Sequence, residues 1–207
     1  NMKLVTIAVT RSKSCHVKTL HTILKLNILC VQNSVDHQIL YCPDDPFDKV
    51  SIVERCMKTY DRIFFIDFGI GVDEKSLHKC LEINDSAGLV VFPGVKEGIN
   101  WQRFKDKVRS DSTEPTSQMG LEFDTVLGKK TAPQFYHVRD TDAKVWMMVP
   151  KTVVKQVKKK IKLRPPMFEY LKEQGVKIYA YSGAKLIQTY THECVSNILN
   201  AASVKLN

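Results

Sequence analysis

The chain has 207 residues, 43% of them hydrophobic and 26% charged, which suits one globular domain with a sizeable core and leaves no room for two large ones. No run of about 18 apolar residues occurs, which excludes a transmembrane helix, and six cysteines without a CxxC pair argue against a zinc site. Lys and Arg outnumber Asp and Glu by 31 to 22, a net charge of +9; such a field draws nucleic acid, anionic surfaces or phosphorylated small molecules without choosing among them.

The chain moves from Met2-Lys3 directly into Leu4-Val5-Thr6-Ile7-Ala8-Val9. That stretch is too short for a signal-peptide core and no small-residue cleavage site follows it, so it reads as a first buried strand. Thr10 to Ser14 then lead into a helix from about His16 to Leu29, with Val17, Leu20, Ile23, Leu24 and Ile28 as its expected buried stripe. A second strand, Gln38 to Cys42, ends in the turn residues Pro43-Asp44-Asp45-Pro46. Val50, Val53 and Met57 mark a short helix, and the most apolar strand, Ile63-Phe64-Phe65-Ile66, terminates in Asp67. A helix near Glu74–Glu82 precedes another apolar strand, Leu89-Val90-Val91-Phe92. Alternating units with continuously apolar strands predict a largely parallel sheet covered on both faces.

From Gly94 to about Ala143 the periodicity weakens, and only Trp101, Phe104 and Val108 suggest a helical turn or two. A loop-rich stretch of that length inside one domain points to a functional segment, such as an acceptor side or lid. Order returns with a strand at Val145–Val149. Six lysines lie between Lys151 and Lys162, with Val153, Val154, Val157 and Ile161 at roughly helical spacing, the pattern of an amphipathic helix with a solvated face. A further helix follows Arg164-Pro165-Pro166, then a half-exposed alternating strand from Val176 to Tyr181. A last helix is expected from Glu193, carrying Val195, Ile198, Leu199 and Ala202. The cysteines (Cys15, Cys30, Cys42, Cys56, Cys80, Cys194) fall mostly in apolar stretches, where a free thiol packs as a small hydrophobe. Free thiols fit a reducing compartment and a cytoplasmic location.

Ligands of open α/β sheets bind at the C-terminal strand ends, and Thr10-Arg11, Asp44-Asp45 and Asp67 all fall there. Asp67, directly after a buried strand, is placed to meet a hard divalent cation that bridges to substrate phosphates; a turn or capping aspartate is the plain alternative. The P-loop, the nucleophile elbow and HExxH are absent. Gly69-Ile70-Gly71-Val72-Asp73-Glu74 follows a strand and precedes a helix as a dinucleotide loop would, but it lacks the third glycine and is not on the first strand.

The run Tyr60-Asp61-Arg62-Ile63-Phe64-Phe65-Ile66-Asp67-Phe68-Gly69-Ile70 resembles the strand that carries the metal-binding DxD motif of GT-A glycosyltransferases. Val9-Thr10-Arg11 resembles their uridine-binding first loop, Phe168 to Tyr179 their late helix–Gly–strand unit, and Thr189-Tyr190-Thr191-His192-Glu193 the segment where many retaining members keep a metal-binding histidine. The similarity covers most of the chain and extends to the N-terminal domains of chlorovirus enzymes that decorate the capsid protein. It implies a mixed, mostly parallel α/β sheet of GT-A type over residues 1–207, as the N-terminal part of a longer protein. It further implies a UDP-sugar donor, Mn²⁺ or Mg²⁺, and a glycan or glycoprotein acceptor, with neither nucleic acid nor an integral membrane segment. Thr10, Arg11, Arg55, Asp67 and Gly69 become the nucleotide-binding candidates, and Asp67 and His192 the metal ligands. Gly69 stands where the motif has its second acid, which leaves the metal to Asp67, His192, the diphosphate and water. Asp142, within the literal Asp140-Thr141-Asp142, is the catalytic-site candidate as an acceptor for sugar hydroxyls, and equally a plain surface turn. The competing function is a basic nucleic-acid- or protein-binding module on the same scaffold.

Overall fold

The computed structural model describes residues 1–114, 116, 119–189 and 193–198. Strand β1 (Lys3–Thr10) alternates between two cores: Val5, Ile7 and Val9 face one side, Leu4 and Ala8 the other. Both faces of this strand are therefore dry, which is why it is almost continuously apolar. Helix α1 (Val17–Gln32) starts at His16, whose ring nitrogen accepts the Lys18 N–H at 3.1 Å, and returns the chain to β2 (Asp36–Pro43), parallel to β1. Asp45 caps helix α2 (Pro46–Cys56) by accepting the Phe47 and Asp48 N–H groups, with Pro46 in the first turn, where no N–H is missed. Strand β3 (Arg62–Ile66), buried throughout, pairs parallel with β1 on its other side.

Then follow β4 (Ile70–Val72), α3 (Glu74–Glu82), β5 (Leu89–Val91), α4 (Trp101–Arg109), β6 (Thr125–Ala132), β7 (Phe135–Thr141) and β8 (Val145–Met148). Helices α5 (Pro150–Gln156) and α6 (Met167–Glu173) precede β9 (Ile178–Tyr181), β10 (Leu186–Thr189) and β11 (Glu193–Ser196). The main sheet has the order β2-β1-β3-β8-β5-β9-β7-β6, and β11-β10-β4 form a small second sheet. Strand β8 runs antiparallel between β3 and β5, while β5 and β9 pair parallel. This mixed, mostly parallel sheet flanked by helices is the architecture that the GT-A resemblance implies.

Several elements depart from the sequence expectations. Gly94–Ala143 is not loop alone: α4 sits where Trp101, Phe104 and Val108 suggest it, and β6 and β7 form a hairpin. That hairpin hides from pattern reading because its register shifts repeatedly and its residues are largely exposed. The lysine-rich segment is helical only to Gln156; the like charges of Lys158, Lys159 and Lys160 do not sustain a further turn. Glu193–Ser196 is a strand, not a helix start, because its pairing with β10 overrides local preference. Gly71 lies inside β4, paired with Ile187, so this glycine segment is no dinucleotide loop.

Helix α1 also turns a different face inward. Of the expected stripe only Ile23 is buried, alongside Thr19, Thr22, Leu26, Leu29 and Cys30. The cause is β4, whose second edge has no strand partner among the described residues. The Thr19 hydroxyl donates to the Ile70 carbonyl at 3.1 Å and the Thr22 hydroxyl accepts the Val72 N–H at 3.0 Å. Buried backbone groups require such partners, and the helix rotates to supply them.

Candidate functional site

Strands β1, β2 and β3 end side by side, and each contributes a polar residue at its C-terminal end. Thr10 lies at the end of β1, its carbonyl accepting the Asp44 N–H at 3.1 Å and its hydroxyl donating to the Cys42 carbonyl at 3.3 Å. The Arg11 Nε donates to Asp44 Oδ2 at 2.8 Å, and its guanidinium lies 4.9 Å from the Phe68 ring centre. Phe68 in turn meets the His16 ring edge-on at 5.4 Å. From the first turn of α2, Lys49 Nζ reaches Asp44 Oδ1 at 2.8 Å and Asp67 Oδ2 at 3.4 Å. Two carboxylates and two cations thus alternate in one chain of ion pairs: Arg11, Asp44, Lys49, Asp67.

The pairs move the titrations of their members. The Asp44 hydrogen bond raises the Arg11 pKa. Burial alone would raise Asp44, but Lys49 and Arg11 outweigh it and hold the carboxyl below its ordinary value. Burial opposes the Lys49 charge, and Asp67 and Asp44 overcome it, so the ammonium pKa is raised. All three groups are charged at neutral pH.

Asp67 follows β3 and anchors both sides of the strand end. Its N–H donates to the Lys144 carbonyl at 3.0 Å, and its Oδ1 accepts the Phe68 N–H at 2.8 Å. Beside it opens a cavity of about 290 Å³ whose wall includes Lys49, Asp67, Asp142 and Lys144, over an apolar floor with Phe65 and Trp146. These two rings stack at 5.0 Å. Pro165 and Pro166, joined by a cis peptide bond, complete its far side. A second hollow is lined by Thr10, Arg11, Ser12, Lys13, Pro43 and Asp44.

Thr10, Arg11, Asp67 and Asp142, far apart in sequence, therefore meet along one sheet margin. Gly69 adjoins them in the turn from β3 to β4. Its φ is +77°, and a Cβ there would sit 3.0 Å from the Thr189 carbonyl oxygen; an acidic side chain does not fit that backbone without strain. Arg55 lies in the last turn of α2, exposed, and lines neither hollow. His192 lies outside the described residues. Among the described residues no group of three or more His, Cys, Asp or Glu is placed to hold a metal. Mg²⁺ commonly takes one or two carboxylates and completes its shell with substrate phosphates and water, a mode for which Asp67 on the cavity wall supplies one carboxylate.

Sequence reasoning missed Lys49 and Asp124. Lys49 is one of many lysines, and its only signal is its place in the first turn of a helix after a strand end. Asp124 is almost fully buried: its Oδ1 accepts the Gly94 N–H at 3.2 Å and the Thr125 hydroxyl at 2.8 Å, while its carbonyl accepts the Asp142 N–H at 2.8 Å. It ties the loop after β5 to the residue lining the cavity. Burial pushes its carboxyl up to about 6, against the opposing effects of Thr125, Gly94 and Lys144. No local pattern marks such a residue, because its partners come from two other segments.

No protein-family model and no curated protein matches the chain. Among solved structures, A197 from STIV aligns over 91% of this chain and 86% of its own, with a TM-score of 0.55 and 13% identity. The likeness is one of fold. A Drosophila beta-1,4-galactosyltransferase 7 mutant, complexed with manganese, UDP-Gal and xylobiose, aligns over 96% of this chain and 71% of its own at 11% identity. Its TM-score of 0.46 is too low to argue from. Cys15, Cys30, Cys42, Cys56 and Cys80 are free thiols, and no helix among the described residues is long and apolar enough to cross a membrane.

Proposed function

We propose that residues 1–207 form a GT-A-type glycosyltransferase domain, which moves a hexose or deoxyhexose from a UDP-sugar to a glycan on a viral glycoprotein with retention. The observation that carries the reading is the chain of charges Arg11–Asp44–Lys49–Asp67 at adjoining strand ends, next to the cavity with Asp142 and Lys144. Departure of a nucleoside diphosphate from an anomeric carbon leaves negative charge on the β-phosphate while the sugar becomes cationic. Preorganised positive groups lower that barrier, and Arg11, Lys13, Lys49 and Lys144 are the cations that line these hollows. Asp67, with His192, would hold Mn²⁺ or Mg²⁺, which as a Lewis acid adds to the stabilisation of the leaving diphosphate. Asp142 is assigned to the sugar hydroxyls. The stereochemical outcome and the viral acceptor follow from the family resemblance.

A calorimetric panel of UDP-glucose, UDP-galactose, UDP-rhamnose and GDP-sugars with Mn²⁺, with duplex and single-stranded DNA as controls, tests the reading. One UDP-sugar should bind and raise the melting temperature by mass action, and DNA should do much less at physiological salt. Tighter binding of DNA than of every sugar nucleotide would establish the basic binding module instead.

A further inference from the structure

The apolar stripe that sequence periodicity assigns to the core lies on the surface. Val17, Leu20, Leu24, Ile28 and Val31 are 71, 39, 53, 57 and 72% exposed. At 100° per residue they occupy one arc of about 80° along four turns of α1. Scattered single apolar residues are normal on a surface, whereas a contiguous stripe of this extent marks an interaction site.

The position of the arc is decisive. One border of it is Asn27, whose Oδ1 meets His37 Nδ1 of β2 at 2.9 Å. The other border is polar, with His21, Gln32, Lys25 and Lys18 following in turn around the helix. The stripe therefore begins where α1 meets β2 and faces outward past that strand. Strand β2 is itself the last in the sheet order, paired with β1 on one side alone among the described residues. Its eight residues contain no lysine, and its proline, Pro43, comes last. Open edges are normally blunted by charge, proline or cover; here the acid, Asp36, and the proline, Pro43, stand at the two ends, and the six residues between them include neither an acid, a lysine nor a proline. Tyr41 on the same strand is 52% exposed. Among the described residues, an unpaired strand edge and an exposed apolar helix face thus form one continuous margin.

We propose that this margin is the interface of a two-fold homodimer, in which β2 pairs antiparallel with its copy and the two α1 helices pack across the join. A second copy meets both requirements at once. Its β2 supplies hydrogen-bond partners to the open edge, and its stripe covers the apolar face in the self-complementary manner of a two-fold contact. A lipid surface would cover the stripe but leave the strand edge unpaired. With the two-fold axis between Ile39 and Leu40, Gln38 faces Tyr41 and Asp36 faces Pro43, so no like charges oppose within the strand pair. The antiparallel arrangement sends the two sets of C-terminal strand ends in opposite directions and leaves both Arg11–Asp44 clusters open. The proposal is independent of the donor reading.

Sedimentation velocity of the full chain over a range of concentrations tests it. The expected result is a reversible dimer at micromolar concentration, converted to monomer by Leu24→Lys with Ile28→Lys. Both positions are exposed in the monomer, so far-UV circular dichroism should be unchanged. A second variant, Leu24→Cys, should form a disulfide-linked dimer under mild oxidation, and Lys25→Cys, on the polar side, should not. A chain that stays monomeric throughout overturns the proposal, and so does a dimer indifferent to the double substitution. Capture of a monomeric chain by phosphatidylserine vesicles through the same stripe would likewise overturn it.

Discussion

Asp124→Asn isolates the energetic consequence of burying one carboxyl behind the candidate site. The folded protein holds this group at about 6, against 3.8 for the free side chain. Because the acid pKa is raised, the folded state binds the proton more tightly than the unfolded state. The associated stability is fully present below about pH 4, is lost as pH rises toward about 6, and is flat beyond. A shift of about two units corresponds to about 3 kcal/mol, or roughly 6–12 °C in melting temperature for a domain of this size. Asparagine has nearly the same shape and keeps an oxygen for the Gly94 N–H and the Thr125 hydroxyl, but it does not titrate. Asp124 Oδ2 has no hydrogen-bond partner among the described residues, so the amide placed there carries its own constant cost. The difference between the two proteins is therefore the informative quantity, since that constant cancels from its pH dependence. Urea melts of both at intervals from about pH 4 to 7.5 should show the variant gaining on the wild type by about 2.5 kcal/mol, with the change complete near pH 7. A difference that stays the same across this range would refute the reasoning and show that Asp124 titrates alike in the folded and unfolded chain.

Three further outcomes follow from named contacts. Lys49→Met should weaken UDP binding by roughly tenfold to a hundredfold in calorimetry, because Asp44 and Asp67 lose their shared cation and would then repel a diphosphate; unchanged affinity would remove Lys49 from the site. Gly69→Ala should cost about 2 kcal/mol in chemical denaturation, from the positive φ and the approach of Thr189 O. Thr22→Val leaves the buried Val72 N–H without its acceptor and should cost about 1–3 kcal/mol, with faster hydrogen exchange at that amide. An effect on stability alone, with Val72 exchange unchanged, would mean that another group takes over the bond.

Local sequence determined the elements whose signal is their own. Continuous apolar runs are enough to mark β1, β3, β5 and β8, since a strand buried on both faces has no polar positions to spare. Val50 and Val53 likewise mark α2, because a helix's buried stripe recurs within one short segment of chain. The strand-end positions of Thr10, Arg11 and Asp67 follow from the same reasoning, as they are the first polar residues after an apolar run. Tertiary structure alone decided which face of α1 is buried: hydrophobicity favoured Val17, Leu24 and Ile28, but the free edge of β4 required the hydroxyls of Thr19 and Thr22. It also decided that Glu193–Ser196 is a strand, because β10 lay alongside to pair with it. Lys49 and Asp124 acquire their significance from partners 18 and 30 positions away, Asp67 and Gly94. A carboxylate's charge state and a cation's partner depend on groups folded against them, and those distances exist only once the sheet has brought its ends together.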